Sequence, residues 1–269
     1  MRTESAPTSR QSGFKLRVSL IWWVALLYLV AIALAEVLTT LFEARAGLIL
    51  HGLLLLVLLL QASLSDRTLT RRFLLAMALA PLTRLLSLVM PLQHFPLVYW
   101  YMLVGVPLAV AAIFAARAAG LSRQMLGLTM RKLPFQALVC LSGIGLGYLE
   151  YQILRPEPLV AELRLELVWL PALILLVFTG LLEEFIFRGL LQYTAVSKLG
   201  RTGLVYTAAL FAVLHLGYGS WLDLLFVFAV ALYFGWSVQR SSSILGVSLA
   251  HGMINIGLFL VFPFLLGTP

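Results

Sequence analysis

The chain has 269 residues, of which 62% are hydrophobic and only 11% charged, with a mean hydropathy of +1.01 and a net charge of +8. Soluble domains run near half apolar and a quarter charged, so these proportions exclude a water-soluble globule and make lipid the solvent for most of the surface. The basic residues fall in short clusters between apolar runs, which fits anionic headgroups and cytoplasmic loops and argues against a nucleic-acid partner.

Residues 1–17 predict a disordered cytoplasmic tail, rich in Ser, Thr, Arg and Gly over its first part. The first apolar run, 18–38, follows Arg2, Arg10, Lys15 and Arg17 and superficially resembles a signal peptide. It is as long as a bilayer crossing, lacks a small-x-small cleavage site and is followed by more apolar runs, so it predicts a retained first span. Further runs fall at 46–63, 73–92, 96–118, 135–154, 165–195, 202–216, 221–238 and 244–264. The expected fold is therefore all-α, a polytopic transmembrane helical bundle of about nine spans, with eight as the alternative because 202–216 is short. Leu121 to Pro134 places Arg123, Arg131 and Lys132 among leucines and methionines and predicts an interfacial amphipathic helix. It divides a four-span region, 18–119, with no assigned role from a five-span region, 120–264, taken as the functional core. Cys140 stands alone in an apolar stretch and reads as a packed core thiol.

Charge bias gives an orientation. With the N-terminus inside, 14 of the 19 Lys and Arg residues fall in inside segments. Only Arg45, Arg155 and Arg164 fall outside, while Arg84 and Arg188 lie within spans. Every loop obeys the alternation, so nine spans and a cytoplasmic N-terminus support each other. The expected location is a multi-pass integral protein of a bacterial inner or plasma membrane, the short connections being the argument for a compact bacterial chain.

Ionisable groups at membrane depth are costly, so each must face a partner or a hydrated cavity. Glu36, His51, Arg84 and Glu150 are explained by interhelical pairing or interfacial positions and are left outside the candidate site. The back half differs. Its sixth run ends Leu-Leu-Glu-Glu-Phe-Ile-Phe-Arg-Gly and holds Glu183, Glu184 and Arg188. Glu184 and Arg188 are four apart and can pair on one helix face, while Glu183, one residue away, is turned by about 100° and stays free. One neutralised and one free carboxylate suit a general base with a supporting ion pair. The seventh run carries Phe211 and His215, and the ninth carries His251 and Asn255, again four apart. Counting ~1.5 Å of rise per residue from the inner helix ends puts Glu183, His215 and the His251–Asn255 pair at roughly 12–20 Å depth, in one layer. Three helices thus deliver polar groups to a shared level.

The patterns Glu-Glu-x-x-x-Arg, Phe-x-x-x-His and His-x-x-x-Asn, in that order on successive helices, resemble the CAAX-processing and bacteriocin-processing (CPBP, or Abi) family, which includes the type II CAAX prenyl endopeptidases. The resemblance covers residues 120–264, including the Leu126–Leu128 segment. It implies an intramembrane endopeptidase in which Glu183 and His215 hold and deprotonate a water. His251 and Asn255 then hydrogen-bond the tetrahedral oxyanion, with Glu184 and Arg188 in support. Its substrate would be a membrane-embedded or lipid-proximal peptide, with the bilayer as the other partner and no cofactor required. A zinc-dependent variant is the rival within hydrolases, but the His-Glu-x-x-His signature is absent and Asn255 is a better oxyanion donor than zinc ligand. The rival from another class is a non-catalytic protein of the same fold: an immunity factor, scaffold or regulator.

Overall fold

A computed structural model describes residues 10–267, with side chains from Trp22 onward; most of the expected tail, residues 1–9, lies outside the described residues. The first described helix begins at Arg10, inside the stretch expected as tail. All described regular structure is helical, with no strand among the described residues. Eight helices are long and apolar enough to cross a membrane, namely α1 (Trp22–Phe42), α2 (Ala44–Ser63), α3 (Thr68–Val89), α4 (Leu97–Ala118), α5 (Leu133–Leu154), α6 (Leu165–Leu199), α8 (Trp221–Ser241) and α9 (Leu245–Leu266). Between α6 and α8 lies a shorter apolar segment, α7 (Thr202–Tyr218). This is a polytopic helical bundle; eight full-length crossings plus one short helix account for all nine apolar runs.

Three local departures from regular α-helix position the interior. In α3 the helix is interrupted at Ala78, three residues before Pro81, which cannot donate to the Met77 carbonyl. In α6 two π-helical stretches, Leu175–Leu181 and Phe185–Gln192, flank a single α turn at Leu182–Glu184. π-Helical bulges widen the helix and recur beside functional groups. In α7 the α-helix stops at Val213, and Leu216–Tyr218 continues as a 3₁₀ turn that ends on Gly219 at φ 69°.

Packing joins the front and back of the chain. One buried cluster includes Ala25 and Ile32 of α1, Met77 of α3, Ala112 of α4, Ile186 and Leu190 of α6, Leu210 of α7 and Ala231 of α8. Helices α6 and α9 cross closely because neither carries a side chain at the crossing: a Cβ on Gly180 would sit 2.6 Å from the Ser248 carbonyl oxygen and 2.9 Å from the Gly252 nitrogen. Small residues at such crossings let dispersion contacts replace the missing hydrophobic drive within lipid.

The amphipathic helix expected from Leu121 to Pro134 does not form. Residues 121–132 are turns, with helix resuming at Leu133. Hydrogen bonds to the α8–α9 connection take the place of helical ones. The Gly127 carbonyl accepts from Ile244 N at 2.9 Å, Thr129 Oγ1 donates to the Ser242 carbonyl at 2.8 Å, and Ser243 Oγ donates to the Thr129 carbonyl at 2.5 Å. Gly127 (φ 69°) adopts the left-handed conformation that lets the backbone lie against Ile244. The leucines of this segment are divided: Leu126 is buried in the core and Leu128 is exposed.

Candidate active site

Glu183 lies midway along α6, on the short α turn between the two π stretches. Its neighbour Glu184, turned by about 100° on the same α turn, is fully buried. Arg188, four residues on, donates from Nη1 to Glu184 Oε1 at 2.9 Å, with both side chains out of contact with solvent. The predicted pair is present. The same oxygen also receives His251 Nδ1 of α9 at 2.8 Å. A carboxylate can only accept, so Nδ1 carries the proton and the Nε2 edge of His251 is left for other partners. The Arg188 guanidinium also sits over the Phe211 ring, 4.4 Å from its centroid, a cation–π contact that stabilises a buried charge. Glu184 thus links α6 to α9 and neutralises Arg188.

His215 occupies an unusual place. It comes after the last α-helical turn of α7 rather than sitting within it, and its Nδ1 donates to the Phe211 carbonyl at 2.8 Å. That bond fixes the ring and leaves Nε2 of the neutral imidazole as an acceptor. The end of a helix at this depth exposes backbone carbonyls that lipid cannot satisfy. The Leu214 carbonyl is met by Arg84 Nη2 of α3 at 2.7 Å.

Glu183, His215, His251 and Asn255 all line one cavity of about 60 Å³, several times the ~10–15 Å³ that one water needs. Glu184 and Arg188 are not on its wall; they stand behind His251. A larger neighbouring cavity of about 310 Å³ shares Glu183, Phe211, His215, Tyr101 and Tyr218 with the first. It extends between α3, α4 and α6 past Trp100, Val104, Leu108 and Phe178, so it is mostly apolar. Glu183 and His215 therefore sit where a small cavity that holds the polar groups meets a larger, mostly apolar one. Among the described residues no group of three or more His, Cys, Asp or Glu side chains is placed to hold a metal ion.

Several wall residues lie beyond the predicted set. Glu150 of α5, expected to pair or to sit at the interface, is 8% exposed and lines the small cavity. Tyr101 and Tyr218 line both cavities. An acidic residue in an apolar run was the signal for Glu150; the tyrosines gave none, since tyrosine is ordinary near a membrane interface. Of the other three residues set aside, Glu36 and Arg84 do pair, Arg84 Nε lying 2.7 and 2.8 Å from the two Glu36 oxygens.

Neither a curated protein nor a solved structure matches this chain. Residues 165–257, which span α6, α7, α8 and much of α9, match the family model described as type II CAAX prenyl endopeptidase Rce1-like. That stretch holds Glu183, Glu184, Arg188, His215, His251 and Asn255. With eight helices able to cross a bilayer, the chain is an integral multi-pass membrane protein, and over residues 165–257 it is similar to the type II CAAX prenyl endopeptidases that the family model describes.

Proposed function

We propose that this protein is an intramembrane endopeptidase that hydrolyses a peptide bond of a membrane-embedded or lipid-proximal substrate with a water activated by Glu183. What supports this reading above all is the convergence of Glu183, His215, His251 and Asn255 on one small cavity reached from three helices. A water held between the Glu183 carboxylate and His215 Nε2 gives up a proton as its oxygen attacks the scissile carbonyl carbon. The carbonyl oxygen becomes an oxyanion, which Asn255 Nδ2–H and the Nε2–H of a doubly protonated His251 stabilise. Collapse of the tetrahedral intermediate breaks the C–N bond, and the proton taken from water passes to the leaving nitrogen. Glu184 holds His251 in the orientation this requires. The larger apolar cavity alongside offers room for hydrophobic side chains of the substrate.

The mechanism asks each oxyanion donor for a few kcal/mol; loss of one such donor elsewhere costs roughly 10²–10³ in kcat. Asn255→Ala is accordingly expected to lower the cleavage rate by about 10²–10³-fold with the protein still folded. Membrane peptides compared by mass spectrometry between wild-type and Glu183→Gln cells test the reading directly. Fragments that vanish in the variant, with their uncut precursor accumulating, would support it. Identical peptide profiles at equal expression would overturn it in favour of a scaffolding, immunity or regulatory role.

A further inference from the structure

We infer that Arg84, from a helix outside the family-matched segment, is a positioning residue for His215, acting through the backbone of the broken end of α7. The inference rests on the proposed role of His215, and its first observation is a hydrogen bond. Arg84 Nη2 donates to the carbonyl of Leu214, the residue immediately before His215, at 2.7 Å and across 130 positions of sequence. Helix α7 ends there, part-way through the bundle, and the last carbonyls of a helix have no partners of their own. Non-helical backbone at membrane depth persists only where the protein satisfies it. A guanidinium is suited to that task, because it is permanently charged, carries donors on two edges and sits favourably at the negative end of a helix.

The second observation is how Arg84 itself is held. Its Nε lies 2.7 and 2.8 Å from the two oxygens of Glu36, and Nη2 lies 2.6 Å from Glu36 Oε2. Glu36 is fully buried in α1, and His51 of α2, also fully buried, has Nε2 3.3 Å from Glu36 Oε1. Neither ring nitrogen of His51 finds a hydrogen-bond partner among the described residues. The carboxylate therefore fixes one edge of the guanidinium, and the other is presented to the Leu214 carbonyl. Two front helices, α1 through Glu36 and α3 through Arg84, thus act on one backbone atom of α7.

The third observation is the character of the chain after Leu214. The turn that carries His215 is short and runs into Gly217 and Gly219, where backbone freedom is high. Gly217 lies close enough that a Cβ on it would be 3.5 Å from Arg84 Nη2. The hydrogen bond from His215 Nδ1 to the Phe211 carbonyl sets the ring against its own helix, and Arg84 sets that helix end against the bundle. Arg84 also lines the larger cavity beside His215, and its side chain is 20% exposed, unlike that of Glu36.

The test uses the full-length protein in native membranes, with two readouts. The first is carbethoxylation of histidines by diethyl pyrocarbonate, quantified by mass spectrometry as the ratio of His215 to the exposed His94, so that each molecule carries its own reference. The second is the rate of Glu183-dependent fragment production. In Arg84→Ala the His215 ratio is expected to rise severalfold and fragment production to fall roughly 100-fold, the scale that a misplacement of about 1 Å costs. Added guanidinium chloride at millimolar concentration should reverse both changes in Arg84→Ala and neither in Glu183→Gln. Arg84→Lys keeps the charge but cannot serve Glu36 and Leu214 together, so it should fall between. Should Arg84→Ala fail to accumulate, Glu36→Gln, which keeps the shape of the pair, is expected to show the same rise in ratio. An unchanged His215 ratio in whichever folded variants are obtained, or changes that guanidinium leaves untouched in Arg84→Ala, would overturn the inference. Absence of any Glu183-dependent fragment in wild type would instead overturn the protease reading, while the carbethoxylation ratio still decides whether Arg84 positions His215.

Discussion

Adjacent carboxylates in α6 meet opposite surroundings. Glu184 is fully buried, and one of its oxygens serves both Arg188 and His251. Glu183 faces two cavities and is held by no side-chain hydrogen bond among the described residues. Neutralising each should therefore have unlike effects on stability. Glu184→Gln leaves Arg188 as an uncompensated buried cation, and breaking a buried pair from one side costs about 3–5 kcal/mol. Glu183→Gln removes an unpaired charge and is expected to leave the thermal midpoint in detergent unchanged or raised, as at sites where function is kept at the expense of stability. Equal destabilisation by both variants would contradict this division. The Glu184–Arg188 pair was legible in the sequence because four-residue spacing on a helix brings side chains together whatever the tertiary fold. The bond from Glu184 to His251 was not. It joins residues 67 apart, and only the packing of α6 on α9 brings them into reach. Glu150 carried half a signal, its charge, but nothing in the sequence said which face of α5 turned inward.

Elements were legible where hydrophobicity alone decides them and illegible where the backbone departs from a regular helix. The apolar runs located every membrane helix because lipid penalises each unsatisfied peptide group, and that penalty is written into composition. The π stretches of α6, the stop in α7 after Val213 and the extended turns at 121–132 depend on partners distant in sequence. The mixture of basic residues with leucines and methionines that suggested a helix over 121–134 was overridden by hydrogen bonds to residues 242–244. Close approach is the elemental feature most open to test. A Cβ on Gly180 would meet the backbone of Ser248 and Gly252, neither of which can swing aside, whereas a Cβ on Gly145 of α5 would meet nothing within 4 Å. Gly180→Ala is expected to destabilise by about 1–3 kcal/mol, the usual cost of overpacking. Gly145→Ala should be neutral or slightly stabilising, because it trades backbone entropy for a better helix former. Thermal midpoints for the two variants in the same detergent check this, and a Gly180→Ala protein as stable as Gly145→Ala would mean that the α6–α9 crossing is looser than its geometry.

For the whole molecule, the boundary suggested by the sequence at residue 120 and the distribution of buried contacts point different ways. The family-matched stretch covers roughly a third of the chain. Yet the main apolar cluster runs through α1, α2, α3 and α4 as well as α6, α7 and α8. Tyr101 of α4 lines both cavities, and Arg84 of α3 reaches the backbone beside His215. If the back half were an autonomous catalytic unit, cutting the chain in the exposed turns near Arg123 and expressing only residues 124–269 would preserve cleavage. The geometry argues that it will not: without α1–α4 the walls of the larger cavity are lost, the Leu214 carbonyl has no donor, and a broad apolar face of α6 and α7 turns to lipid that packs it less well than helices do. Co-expression of residues 1–123 with 124–269 is expected to restore both copurification and Glu183-dependent fragments, since the buried cluster can reform without the covalent link. The Gly127–Ile244 contact lies wholly within the second piece and survives the cut. Activity from residues 124–269 alone, at a rate near that of the intact chain, would show that the front helices serve some purpose other than completing the site.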